Sequence, residues 1–131
     1  HTCVIDAMPE THLTREFVKQ FWGQVYMCYF NEHQRGEPNF DSRTSILQVN
    51  RTEALDLSRE VVRERRVRFP QGHPELETFA KHMTANAKVL EEDEQTGAKR
   101  YKYIRAGADH YSLAFTYAAL AAENCFIPFV V

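Results

Sequence analysis

The fold is decided by residues 2–30, TCVIDAMPETHLTREFVKQFWGQVYMCYF. This stretch begins and ends with short apolar runs, at residues 2–7 and 24–30. The second run is almost continuously apolar, as expected of a strand that is covered on both faces. Between the runs, Pro9 suits the first turn of a helix and Gly23 suits its end. A strand, a helix and a strand within roughly 30 residues predict a right-handed βαβ unit with parallel strands.

The helix of this unit is predicted to bury one face against the sheet. Thr11 is placed to cap its first turn. Apolar residues then recur at helical spacing, at Leu13, Phe17, Val18 and Phe21.

The remainder of the chain continues the α/β pattern. Residues 31–42 are polar and predict a loop. The helix at residues 109–123 is rich in alanine and apolar around most of its circumference, so it is expected to be buried. The other predicted elements are a strand at 45–49, a helix capped by Asn50 or Thr52 with Leu55, Ser58, Val61 and Val62 inward, a short strand at 67–69, a helix at 74–85, a hairpin of 88–90 with 101–104, and an apolar tail at 125–131.

Composition limits the classes of protein to which the chain can belong. Its 131 residues, 44% of them hydrophobic, fit one domain over residues 1–131 with a sizeable core. The net charge of −2 gives no overall attraction to nucleic acid, so any such contact must use a local basic patch. No apolar run approaches the ~20 residues that span a bilayer, and no membrane partner is expected. Three cysteines without CxxC spacing argue against a disulfide framework or a structural zinc site, and suit a reducing compartment.

Two aspartates stand where α/β folds place ligand-binding groups. Asp6 closes the first predicted strand, directly before a turn. Asp109 opens the last predicted helix and is followed by His110. Carboxylates are the ligands that hard divalent cations such as Mg²⁺ and Mn²⁺ prefer, so the pair is a candidate metal site. Each aspartate also has a purely structural interpretation, because aspartate is a favoured helix cap.

Basic and aromatic residues are interleaved along the second strand of the predicted hairpin. They are Lys99, Arg100, Lys102 and Arg105, with Tyr101 and Tyr103 between them. Such a strand suits contact with a DNA backbone, and His110 is a further candidate for phosphate contact. The alternative is a solvated strand edge that its charges protect from self-association.

Three segments resemble the nuclease domain of phage terminase large subunits. Residues 108–122 (ADHYSLAFTYAALAA) resemble its last catalytic motif, in which an Asp-His pair opens a helix of aromatic and alanine residues. Residues 3–10 (CVIDAMPE) resemble the strand that carries the middle catalytic acid. Residues 49–70 (VNRTEALDLSREVVRERRVRFP) are similar to the family's R-T-x-x-L-D helix and the short strand and proline after it. The matches occur in family order and span nearly the whole chain.

The resemblance implies a ribonuclease H-like fold with a mixed sheet flanked by helices. It implies an endonuclease that hydrolyses double-stranded DNA with two Mg²⁺ or Mn²⁺ ions during viral genome packaging. Asp6 matches the middle acid and Asp109 the last acid, both as catalytic metal ligands. Another acid is implied on a strand upstream of Cys3. The chain is therefore expected to be the C-terminal part of that domain, without the first strand or the ATPase domain, and to cleave DNA poorly alone.

The resemblance also implies partners and a location. The partners are double-stranded DNA, the terminase small subunit and the portal protein, and the location is the cytoplasm of the bacterial host. Two alternatives stay open. One is another ribonuclease H-like nuclease of the resolvase or transposase type, against which the Asp-His helix with its tyrosines and alanines argues. The other is a non-catalytic DNA-binding or assembly module in which both carboxylates only cap helices.

Overall fold

A computed structural model describes residues 1–125, and residues 126–131 of the predicted apolar tail lie outside the described part. The chain forms a mixed sheet flanked by helices, together with a separate hairpin. Among residues 1–125 no helix is long and apolar enough to cross a membrane. The strands are β1 (Cys3–Asp6), β2 (Val25–Phe30), β3 (Asn39–Asp41), β4 (Ile46–Val49), β5 (Asn86–Glu92) and β6 (Lys99–Arg105). The helices are α1 (Thr11–Lys19), α2 (Arg51–Arg63), α3 (Glu75–Thr84) and α4 (His110–Asn124).

The βαβ unit forms as the sequence predicts. β1 and β2 are parallel, with Cys3 opposite Val25 and Asp6 opposite Cys28. β4 adds to β2 in parallel, and β3 pairs antiparallel with β4, so the strand order is β1-β2-β4-β3. The prediction of a loop over residues 31–42 was therefore wrong at β3. This strand has only three residues and little apolar periodicity, and its pairing with β4 is what makes it a strand.

The two faces of the sheet support separate hydrophobic clusters because successive side chains of a strand point to opposite sides. Val25 and Met27 of β2 face α1, whereas Tyr26 and Cys28 face α4. The predicted burial of the last helix is confirmed, since Leu120 of α4 is fully buried in the second cluster. The cluster against α4 comprises Val4, Tyr26, Cys28, Leu47, Val49, Ala54, Tyr117, Leu120 and Ala121.

The α1 helix covers the sheet less than its pattern predicts. Of the four apolar positions only Val18 is buried, and Leu13, Phe17 and Phe21 are 64%, 46% and 42% exposed. The helix has nine residues and ends at Lys19, so Phe21 lies beyond it. Thr11 was predicted as the cap but is the first helical residue. Its hydroxyl instead donates to the Ala7 carbonyl at 2.9 Å.

The predicted strand at residues 67–69 is also wrong. These residues form an irregular connection between α2 and α3. The Phe69 ring packs on Phe79 and Phe115, with ring centroids 5.0 and 6.1 Å apart. Phe69 therefore packs against side chains of α3 and α4, and not against a partner strand.

The predicted hairpin is confirmed and is tied to α2. β5 and β6 pair from Asn86 opposite Arg105 to Glu92 opposite Lys99. The Tyr103 hydroxyl donates to the Asp56 carboxylate at 2.7 Å, and the Arg59 guanidinium lies 4.5 Å from the Tyr103 ring centroid. Burial, followed by the hydrogen bond to Asp56, raises the pKa of Tyr103 to about 12. The Tyr103 hydroxyl therefore stays protonated at physiological pH, and its hydrogen bond to Asp56 holds the hairpin against α2.

Candidate functional site

Asp6 lies at the carboxyl end of β1, the edge at which open α/β sheets bind ligands. It is exposed, and its Oδ1 accepts a hydrogen bond from the Met8 amide at 3.0 Å. This bond closes the turn after the strand, so Asp6 does not cap α1. No side chain makes a capping bond at the start of that helix. One carboxylate oxygen of Asp6 is therefore left for another partner.

Asp6 lines a cleft of about 410 Å³ whose opposite wall is α4. The α4 residues in this wall are His110, Leu113, Ala114 and Tyr117. Their spacing of i, i+3, i+4 and i+7 defines one helical face. The exposed His110 is the first residue of the helix, where backbone amides favour anions such as phosphate. The structure therefore brings the predicted residues Asp6 and His110 into one cleft.

Cys28 lies opposite Asp6 in the strand pairing and is almost fully buried. Burial, and then the charge of Asp6, raises the pKa of the Cys28 thiol to about 12. The thiolate is the nucleophilic form of cysteine. Cys28 is therefore a neutral, inert neighbour of the site at physiological pH.

Asp109 is buried, whereas its neighbour His110 is exposed. It occupies the position before α4, but its side chain makes no capping bond, so its interpretation as a helix cap is wrong. The residue is 2% exposed. Its Oδ1 lies 3.3 Å from Nε of Arg105, and its Oδ2 accepts a hydrogen bond from Asn86 at 3.2 Å. The base of the hairpin thus supplies both a cation and an amide donor to this buried carboxylate.

Asn86 and Tyr117 belong to the candidate site but were missed in the sequence. Asn86 begins β5 and is 6% exposed, and nothing local distinguishes it from other asparagines. Tyr117 could have been found, because it is seven residues after His110 and shares its helical face.

The basic residues of β6 are paired with acids of β5. Lys99 lies 3.6 Å from Glu92, Arg100 lies 3.0 Å from Glu91, and Lys102 makes a close ion pair with Glu91. Exposed pairs contribute only ~0–1 kcal/mol, so they can exchange for phosphate contacts. The acids nevertheless offset the local positive charge. Contact with DNA through this strand stays a prediction, and the charge-protected edge stays its alternative.

The side chains at the candidate site meet the ligand requirements of a divalent cation only in part. Asp6 offers an accessible carboxylate, which fits Mg²⁺ or Mn²⁺. Asp109 could contribute only after its contact with Arg105 opens, because the guanidinium already occupies that carboxylate. Within residues 1–125 no three His, Cys, Asp or Glu side chains are grouped so that they could hold a metal ion.

Comparison with known proteins assigns no family: no family model, no curated protein and no solved structure matches this chain.

Proposed function

We propose that this chain belongs to a ribonuclease H-like, metal-dependent DNA endonuclease domain of the terminase large-subunit type. One observation supports the proposal most. Asp6 ends a parallel strand and faces, across an open cleft, the helix that follows Asp109. The two segments that resemble catalytic motifs are thus neighbours in the fold, although a hundred residues separate them in the chain.

In the proposed reaction Asp6 and Asp109 would hold the two divalent metal ions. The bound metal would supply an activated water and stabilise the leaving oxygen of a phosphodiester. The Asp6 carboxylate is exposed and accessible to a cation, whereas the Asp109 carboxylate would become accessible only if its contact with Arg105 opened. The freed Arg105, together with His110 and the first amides of α4, would then attract a backbone phosphate.

The sheet topology is compatible with the third acid that the resemblance implies. β1 is an edge strand of the sheet within residues 1–125, and Asp6 ends it. A strand paired with this edge would bring its own acid beside Asp6. The partners proposed with this function are double-stranded DNA and, by resemblance, the terminase small subunit and the portal protein.

Asp6→Asn is expected to weaken binding of Mn²⁺ more than tenfold, since even indirect partners of a metal ligand contribute roughly 10–100-fold to affinity. Binding by the unaltered chain should itself be weak, and stronger for Mn²⁺ than for Mg²⁺. Titration calorimetry with MnCl₂ alone measures the effect. Asp109→Asn should also weaken binding.

Glu94→Gln is the matched control, because Glu94 is an exposed acid in the turn of the hairpin. It makes the same change of charge away from the cleft and should leave the affinity unaltered. If Asp6→Asn and Glu94→Gln bind Mn²⁺ equally well, the carboxylates are not metal ligands. The pairing of Asp109 with Arg105 would then be structural, and a non-catalytic DNA-binding or assembly module, without the capping role expected for the carboxylates, would replace the nuclease.

Replacement of Lys99, Arg100 and Lys102 by Ala is expected to weaken DNA binding without regard to sequence. Each lost phosphate contact should flatten the dependence of log K on log salt by ~0.9, so roughly 2–3 in total. Fluorescence anisotropy with a duplex at several salt concentrations measures this slope. The control replaces Arg15, Lys19 and Arg43, which lie around α1 and β3. Equal slopes for the two triple variants would identify β6 as a charge-protected edge.

A further inference from the structure

The hydroxyl of Tyr117 is buried at the cleft without a hydrogen-bond partner. Tyr117 is 8% exposed, and its Oη is unpaired within residues 1–125. Its ring stacks beside Phe30 with a centroid distance of 6.0 Å. An unpaired buried hydroxyl is destabilising, because it gives up its hydrogen bonds to water and gains none within the protein. Such groups are rare in native proteins and call for an explanation. Phenylalanine at this position would fill the same space without the unpaired hydroxyl.

The charged group that acts most on this hydroxyl is Asp6. Burial, and then the Asp6 carboxylate, raises the pKa of Tyr117 far above its usual range, so it stays protonated and able to donate. Both groups line the cleft, and the Asp6 carboxylate also raises this pKa as a hydrogen-bond acceptor, although the distance and angle between the two side chains do not reach those of a full hydrogen bond. Oδ1 of Asp6 is held by the Met8 amide. The oxygen left for Tyr117 is therefore Oδ2.

We propose that Tyr117 is a positioning residue for Asp6, whose hydroxyl donates to the carboxylate when that carboxylate binds a divalent metal ion in the cleft. The inference rests on the proposed function. A metal-binding carboxylate is commonly oriented by a hydrogen bond to its second oxygen. Of the α4 residues that line the cleft with Asp6, Tyr117 alone is buried and carries a hydroxyl that can donate.

The Tyr117→Phe variant distinguishes a positioning role from a packing role. The two roles predict different combinations of thermal stability and Mn²⁺ affinity. Under the proposal, the variant is as stable to heat as the unaltered chain or more so, since it loses an unpaired buried hydroxyl. At the same time its affinity for Mn²⁺ falls about tenfold. If the tyrosine only packs, the affinity for Mn²⁺ does not change. Calorimetric titration with MnCl₂ and thermal unfolding followed by circular dichroism supply the two measurements.

Tyr26→Phe is the matched control. Tyr26 is equally buried in the same cluster, but its hydroxyl donates to the Gly23 carbonyl at 3.4 Å and does not line the cleft. Its loss should leave the Mn²⁺ affinity unaltered. An unchanged affinity in Tyr117→Phe, or an equal loss in Tyr26→Phe, would overturn the inference.

The outcome for Asp6→Asn distinguishes failure of this inference from failure of the proposed function. If Asp6→Asn weakens Mn²⁺ binding and Tyr117→Phe does not, only the role of Tyr117 is wrong. If neither variant weakens it, the metal site itself is wrong. As a second measurement, the ¹³Cζ resonance of Tyr117 should shift when Mg²⁺ is added to the unaltered chain but not to Asp6→Asn. A resonance that Mg²⁺ does not move would likewise overturn the positioning role.

Discussion

Leu120→Asp should unfold the domain or nearly so. Leu120 is fully buried between α4 and the sheet, in the cluster that includes Val4 and Leu47. Loss of a buried leucine side chain costs about 2–5 kcal/mol. Burial of an unpaired carboxylate adds several kcal/mol, or forces the helix away from the sheet. The sum is comparable with the whole free energy of unfolding of a domain, ~5–15 kcal/mol.

The same substitution at an exposed leucine is the control for this result. Leu13 is in α1 and is 64% exposed, so Leu13→Asp should change the free energy of unfolding by no more than about 0.5 kcal/mol. Urea denaturation followed by far-ultraviolet circular dichroism measures both variants. Similar midpoints for Leu120→Asp and the unaltered chain would contradict the packing of α4 on the sheet.

Asn50→Ala should lower the free energy of unfolding by about 2–3 kcal/mol. Asn50 is 1% exposed at the junction of β4 and α2. Its Oδ1 accepts hydrogen bonds from the amides of Thr52 at 2.9 Å and Glu53 at 3.2 Å. Its Nδ2 donates to the Glu32 carbonyl at 3.2 Å, which joins the ends of β2 and β4. Alanine removes the helix cap, worth ~1 kcal/mol, and leaves the carbonyl without this donor.

Asn50→Ser tests which of these bonds matters more. Serine is a helix cap of similar strength, but it is too short to replace the amide donor. We therefore expect a loss in stability of roughly half that of Asn50→Ala in the same urea titration. If serine is as damaging as alanine, the bond to Glu32 contributes most of the effect. If neither variant loses stability, the cap described for α2 is wrong.

The local sequence pattern was sufficient to predict the elements that carry the candidate site residues, β1, β2 and α4. Two apolar runs around one helix predicted the parallel pairing of β1 and β2, because strands buried on both faces need a crossover between them. The alanine-rich segment predicted the buried helix α4 for a similar reason, since it has almost no polar face to turn to water. The positions of Asp6 at a strand end and Asp109 before a helix followed directly from these two elements.

The side chains that contact the candidate site residues could not be predicted from the local sequence pattern. Asp109 reads locally as a helix cap, but its side chain turns to Asn86 and Arg105 at the base of the hairpin. Tyr117 reads as one more aromatic residue of a buried helix, but its hydroxyl is the unpaired group beside Asp6. In both cases the contact joins segments whose approach depends on how the elements pack.

The sequence by itself determined the order and type of most elements, because apolar spacing reflects the local geometry of a helix or a strand. Only the tertiary structure decided that residues 39–41 form a strand, that most of the apolar face of α1 stays exposed, and that Asp109 is buried against Arg105. The physical reason is that a strand needs a partner strand, and a buried charge needs a counter-ion. Both are supplied by other parts of the chain, so no local pattern contains them.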